Sequence, residues 1–152
     1  MELSRCMTAD AGEVEAFLRE VDLTVTGLDE PSVRLWVERD ESGRIVGSTG
    51  YELSRDGHHA LIRSVAVVSS SRARGRGTDL ARFALDRAAE EGATTAWLFS
   101  RRSGGFWQSL GFAGADLSEL ARVLAETHQV RRFIATGQIT REVAWMRGLG
   151  GV

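Results

Sequence analysis

Between Ile62 and Leu85 the sequence reads IRSVAVVSSSRARGRGTDLARFAL, and this stretch constrains the fold more than any other. Ile62 to Val68 is β-branched and apolar on both faces apart from Arg63 and Ser64, which is the pattern of a central strand. Ser69-Ser70-Ser71 breaks it. From Gly77 onward Leu80, Ala84 and Ala88 fall on one stripe with Ala81 and Leu85 beside it, so the spacing predicts an amphipathic helix. Between strand and helix, Arg72-Ala73-Arg74-Gly75-Arg76-Gly77 sets two glycines where backbone can approach a bulky ligand and aim its N–H groups outward. The start of a helix, with free N–H groups, attracts phosphate. The plainer reading is an ordinary turn with solvated arginines, since a lone R-x-x-G-x-G match arises often by chance. A Walker loop is excluded, because no Lys follows the glycines and the chain contains none.

R-x-x-G-x-G five residues after a V-A-V strand end, Arg72 after Val67, resembles the acyl-CoA pyrophosphate loop of the GNAT N-acetyltransferases. Downstream, Phe106-Trp107-Gln-Ser-Leu-Gly111-Phe112 resembles the segment that closes the same fold. The resemblance implies an α/β domain with a central mixed sheet flanked by helices, the GNAT-like acyl-CoA N-acyltransferase fold, spanning residues 1–152 as one unit. It also implies acetyl-CoA as donor substrate, with Arg72, Ala73, Arg74, Gly75, Arg76, Gly77 and Thr78 around its pyrophosphate and Val65 and Val67 along its pantetheine arm. In the family a backbone N–H of the central strand polarises the thioester carbonyl, here at Val67 or a neighbour. Residues 45 to 115 resemble one branch in particular, which includes arsinothricin N-acetyltransferases and shares its closing motif with bacterial N-acetylglutamate synthases. That branch acetylates amino acids and amino-acid-like toxins.

Composition bounds the rest. A chain of 152 residues buries roughly two-thirds of its unfolded surface without disulfides. A net charge of −2 argues against nucleic acid as the main partner, while Arg72, Arg74 and Arg76 make one basic patch suited to a small polyanion. One cysteine, Cys6, allows no internal disulfide, and the three histidines lack metal-ligand spacing, so neither a metal nor an oxidising compartment is expected. No apolar run approaches ~18 residues, so the expectation is a cytoplasmic protein with no membrane partner.

Along the chain, Glu2 to Met7 reads as a short strand and Val14, Phe17, Leu18 and Val21 as one face of a helix capped by Thr8 or Asp10. Thr24 to Pro31 reads as a loop, which in the family lines the acceptor site. Val33 to Arg39 and Ile45 to Ser54 form a hairpin that continues through Asp56-Gly57-His58 into the central strand. Gly92 ends the following helix, and Thr94 to Ser100 reads as a buried strand parallel to the central one. Ser103 to Leu110 reads as a short helix, Leu117 to Ala135 shows helical spacing, and Glu142 to Leu149 reads as a last strand. Trp145 on that strand could supply an edge for a homodimer, an assembly common in the family.

Acetyl transfer needs a neutral amine, a polarised carbonyl and a proton for the departing thiolate. Counted back across the turn, Glu52 falls opposite residues 61 to 63, within one residue of Arg63. Two readings stand: Glu52 is the base and Arg63 binds an acceptor carboxylate, or the two are a structural ion pair. Arg101 and Arg102 follow the buried strand at the rim, as acceptor-carboxylate ligands or as solvated loop. Many relatives carry a Tyr as general acid where this chain has Trp107. The only tyrosine, Tyr51, reads as a sheet aromatic. The expected activity is acetyl transfer to a small, amino-acid-like amine. The alternatives are a protein N-acetyltransferase and a GNAT-like module that binds acyl-CoA without turnover.

Overall fold

The structure is a computed structural model that describes residues 2–21, 23, 27–28, 30, 32–68 and 75–149. Among these residues seven strands form one sheet in the order β1-β2-β3-β4-β5-β7-β6. They are β1 (Ser4–Arg5), β2 (Val33–Arg39), β3 (Ile45–Leu53), β4 (His59–Val67), β5 (Thr95–Phe99), β6 (Ala113–Ala115) and β7 (Ala144–Gly148). Every neighbouring pair is antiparallel except β4 and β5, which run parallel. The five α-helices among the described residues are α1 (Ala11–Glu20), α2 (Arg76–Glu90), α3 (Gly104–Ser109), α4 (Leu117–Val123) and α5 (His128–Thr136).

The period of two along the strands sorts their side chains onto two faces. On one face Trp36, Tyr51, Ile62 and Leu98 meet Ala81, Ala84, Leu85 and Ala88 of α2, and Trp107 of α3 joins them. Alanines on three turns of α2 let its axis come close to the sheet. On the other face Val14, Phe17 and Leu18 of α1 cover Val33, Leu35 and Val37. Leu120 of α4, Leu124 just past its end and Val130 of α5 cover Leu61 and Trp97. Burying each such large apolar side chain contributes about 1.5–3 kcal/mol.

The helical stretch expected from Leu117 to Ala135 is two helices. Thr127 breaks it, with extended backbone and a hydroxyl that accepts the N–H of Val130 at 3.3 Å. Gly92 closes α2 as expected, at φ +106°, with the Ala93 N–H donating to the Ala88 carbonyl.

One irregularity shapes β4. Ser48 pairs with Ala66 but Gly50 pairs with Arg63, so β4 carries one more residue than β3 across this interval. The bulge falls at Ser64, whose φ of +62° is the one positive value among described non-glycine residues. Its consequence is a change of face. Ile62 and Val65 both pack on the α2 side, whereas Leu61 before the bulge and Ala66 after it lie on the other.

Candidate active site at the parting of β4 and β5

The parallel strands pair only over His59, Ala60 and Leu61 against Thr95, Ala96 and Trp97. Beyond Leu61 the two separate, and β5 continues by pairing with β7 on its other side as far as Phe99. The bulge at Ser64 lies at the start of this gap. It turns Val65, half-buried, and Val67, buried, towards the α2 face, and Val68 N–H is held by the Val46 carbonyl at 3.0 Å.

The N-terminus of α2 stands on that same face. Its N-cap is Gly75, exposed and at φ +83°, a left-handed conformation that glycine adopts without a Cβ penalty. Gly75 has no side chain to cap with, so the first N–H groups of α2, at Arg76, Gly77 and Thr78, stand where an anion can meet them. A Cβ built on Gly77 would have the Phe106 ring as its nearest neighbour, at 3.8 Å, so α3 borders the turn. The turn is secured from below. Thr49 Oγ1 donates to the Leu80 carbonyl at 2.7 Å, and the Arg76 guanidinium touches the carboxylate of Glu38. Asp79 in the first turn is exposed. Arg72, Ala73 and Arg74, expected in the same phosphate loop, lie outside the described residues. A diphosphate fits what is described: a helix start with no side-chain cap from the described residues, a left-handed glycine with open space at its Cβ position, and a second glycine bordered by the Phe106 ring.

Glu52 and Arg63 are brought together on the opposite face. Glu52 is opposite Leu61 and Arg63 is opposite Gly50, which makes the two diagonal neighbours. Arg63 Nη1 donates to Glu52 Oε2 at 2.9 Å, and their side chains are 0% and 2% exposed. Glu52 Oε1 accepts the backbone N–H of His128 at 2.6 Å, and Oε2 that of Gln129 at 3.2 Å. Arg63 Nε donates to Ser64 Oγ at 3.2 Å. Burial pulls the Arg63 guanidinium below its ordinary pKa, and the Glu52 carboxylate opposes that shift. Both carboxylate oxygens of Glu52 are thus taken by donors, in the geometry of the ion-pair alternative.

Arg101 stands at the rim, half-exposed, with Nε 3.5 Å from Glu142 Oε2. Tyr51 is in the core as its sequence context suggests. Its hydroxyl donates to Glu91, and burial raises its pKa, with that contact adding to the shift. Trp107 is buried edge-on against Phe106 and Phe112, a core residue and not a proton donor. The Cys6 thiol is pushed up, first by burial and then by Asp10, away from thiolate chemistry. Among the described residues no cluster of three or more His, Cys, Asp or Glu could hold a metal, and no helix is long and apolar enough to cross a membrane.

The residues that reasoning from sequence missed are Glu38, Thr49 and Ser64. Thr49 and Ser64 gave no signal, being ordinary strand residues by composition. Glu38 gave a faint one: it shares the inward face of β2 with Trp36, where a carboxylate asks for a partner.

The acetyltransferase (GNAT) family matches residues 3–112. No curated protein matches the chain at a significant level. Among solved structures, N-acetylglutamate synthase from Neisseria gonorrhoeae, complexed with coenzyme A and N-acetyl-glutamate, superposes with a TM-score of 0.72 at 16% identity, covering 99% of this chain and 36% of that one. The chain therefore spans about a third of that synthase's length. Rv2747 from Mycobacterium tuberculosis, in complex with CoA and a second ligand, superposes with a TM-score of 0.71 at 15% identity over 99% of this chain and 100% of that one. An aminoglycoside 6'-N-acetyltransferase complexed with coenzyme A gives 0.69 at 12% identity, over 100% and 99%. At these identities the likeness is one of fold.

Proposed function

The chain belongs to the acetyltransferase (GNAT) family, and from that premise we propose that it moves an acetyl group from acetyl-CoA to the amine of a small, amino-acid-like acceptor. The observation that carries this reading is the parting of β4 from β5 after Leu61 and Trp97, on a sheet whose α2 face presents the helix start at Gly75. Acetyl-CoA supplies a thioester whose carbonyl carbon is attacked by the amine, forming a C–N bond as the C–S bond breaks. The chain's part is to hold the phosphates at the amides of Gly75 to Thr78, with Arg72, Ala73 and Arg74 completing the loop. Val65 and Val67 line the arm, and a backbone N–H of the central strand, at Val67 or a neighbour, polarises the carbonyl. Fixing both reactants between the two strands supplies much of the rate.

The amino-acid character of the acceptor rests on Arg101 at the rim and on the synthase likeness, whose complex holds N-acetyl-glutamate. It is also the acceptor class of the arsinothricin branch. For Glu52 and Arg63 the burial favours a positioning part: they fix the start of α5 to the sheet beside the bulge. A base at Glu52 would require the pair to open. Protonation of the thiolate then falls to water or to the ammonium proton of the acceptor, since Trp107 has no ionisable group.

The test is thermal stability with acetyl-CoA, CoA and ATP, followed by acetylation of a panel of amino acids. A ligand that binds only the folded state raises the midpoint, by about 2.7 kcal/mol of stability at a hundred times its Kd. A rise with acetyl-CoA and CoA but not ATP, with turnover on an amino acid, is expected. No rise at millimolar acetyl-CoA would overturn the reading. A rise without turnover on any amine would leave an acyl-CoA-binding module.

A further inference from the structure

The first turn of α2 carries an arginine between its two glycines, and the side chain of that arginine does not stand with the exposed backbone. Arg76 instead reaches Glu38 at the end of β2, the guanidinium touching the carboxylate. The Glu38 side chain is 10% exposed and that of Arg76 is 30% exposed. Two neighbours on the sheet locate the carboxylate. It shares the α2 face with Trp36 two residues earlier, and a Cβ built on Gly47 would come within 3.4 Å of Glu38 Oε1 and 3.2 Å of Leu80 Cδ1. Glu38 therefore sits over Gly47, beside Leu80, beneath the turn that presents N–H groups to an anion. A side chain at position 47 would take that place.

A buried carboxylate needs a counter-charge, and it is worst placed under an anion-binding helix start, where it opposes the field that attracts phosphate. Resting on the acetyl-CoA reading above, we infer that Arg76 serves the cofactor indirectly, as the counter-ion of buried Glu38 and not as a ligand of the pyrophosphate. Arg76 and Glu38 are positioning residues. Together they present an electrically neutral floor, and the amides of Gly75 to Thr78 face the phosphates over it. Removing the arginine alone uncovers a negative charge beneath the ligand. Removing both charges restores a neutral floor.

This predicts a pattern that a direct phosphate ligand cannot give. Arg76→Gln should raise KM for acetyl-CoA about tenfold, with kcat and the KM of the acceptor changed less than about threefold. Glu38→Gln together with Arg76→Gln should bring KM for acetyl-CoA back to within about threefold of the wild type, a coupling read from the double-mutant cycle. Glu38→Gln alone should leave that KM unchanged or lower, because the freed guanidinium adds positive charge near the phosphates. If the double variant is as weak as Arg76→Gln, the arginine is a phosphate ligand and the inference fails. An unchanged KM in Arg76→Gln, or a raised one in Glu38→Gln, overturns it as well. Should Arg76→Gln not fold, the other two variants still decide. Wild type that neither binds nor uses acetyl-CoA would instead remove the reading on which the inference rests.

Discussion

Glu52 Oε1 lies 2.6 Å from the backbone nitrogen of His128, so a carboxylate on the third strand closes the first turn of a helix that begins 76 residues later. Helix starts leave N–H groups without intrahelical acceptors, and a negative charge there is favourable. The same carboxylate neutralises Arg63, so one side chain satisfies a strand cation and a helix start together.

Removing that carboxylate leaves Arg63 buried without its counter-charge, which costs about 3–5 kcal/mol in comparable pairs. Glu52→Ala should therefore lower the thermal midpoint by on the order of 10 °C at this chain length. The pH profile of kcat/KM separates the two readings of Glu52. In a folded Glu52→Gln variant its shape should persist if the residue positions, and its acidic limb should vanish if the residue is the base. Urea unfolding and a pH–rate series on one preparation check both.

The Tyr51 hydroxyl gives a pH dependence of opposite sense to the usual carboxylate case. Its pKa is raised in the folded state, by burial first and then by the contact with Glu91. The folded protein therefore holds this proton above the unfolded value of about 10, where the unfolded chain has released it. The stabilisation is fully present below pH ~10 and is lost as pH rises through the folded value. Wild-type urea midpoints should fall between pH 9 and 11, and Tyr51→Phe should show a shallower fall. Equal slopes would count against the buried hydroxyl as the cause.

Glycines separate by what surrounds them. A Cβ at Gly50 would stand 2.3 Å from the Arg34 carbonyl oxygen and 2.4 Å from Leu35 Cδ2, and backbone cannot yield as a side-chain tip can. Gly50→Ala should cost about 3 kcal/mol or more, because overpacking against a central strand pair displaces β2. Gly12, in α1, has nothing within 4 Å of its Cβ position. Gly12→Ala should stabilise by about 0.4–1 kcal/mol through the unfolded chain and helix propensity. Paired denaturation curves decide, and a harmless Gly50→Ala would contradict the register of β2 and β3.

What the sequence made legible was whatever repeats along one element. Alternation in Val33 to Arg39, the three-and-four spacing of Leu80, Ala84 and Ala88, and the turn glycines fixed strands, helices and order with ends off by a residue or two. The proximity of Glu52 to Arg63 was also legible, because a short turn sets hairpin register. That α5 would deliver its amides to Glu52 was not, since nothing local at residue 128 points to residue 52. Glu38 meeting Arg76 is of the same kind: two charges, each plausible in solvent, joined by the docking of a helix. The bulge was hidden for a different reason. Ser64 adopts a backbone conformation that its residue type does not announce.

With φ at +62°, Ser64 pays a conformational cost that a β-branched side chain would raise steeply and glycine would remove. Its hydroxyl accepts from Arg63 Nε at 3.2 Å, and its carbonyl accepts from Ser48 Oγ at 2.5 Å, so neighbours on two strands hold it in place. Ser64→Gly should be nearly neutral, the relief of strain offsetting one lost hydrogen bond of about 1 kcal/mol. Ser64→Val should cost about 2–3 kcal/mol by the same strain, and in any folded fraction β4 should lose the extra residue's turn. Val65 would then exchange faces with its neighbour, and the strand edge proposed for the acetyl-CoA arm would present the wrong side chains. The expected signature is a loss of acetyl-CoA-induced thermal stabilisation in Ser64→Val that exceeds its loss of intrinsic stability, with Ser64→Gly retaining both. Equal ligand stabilisation in the two variants would mean that the bulge does not shape the cofactor's strand.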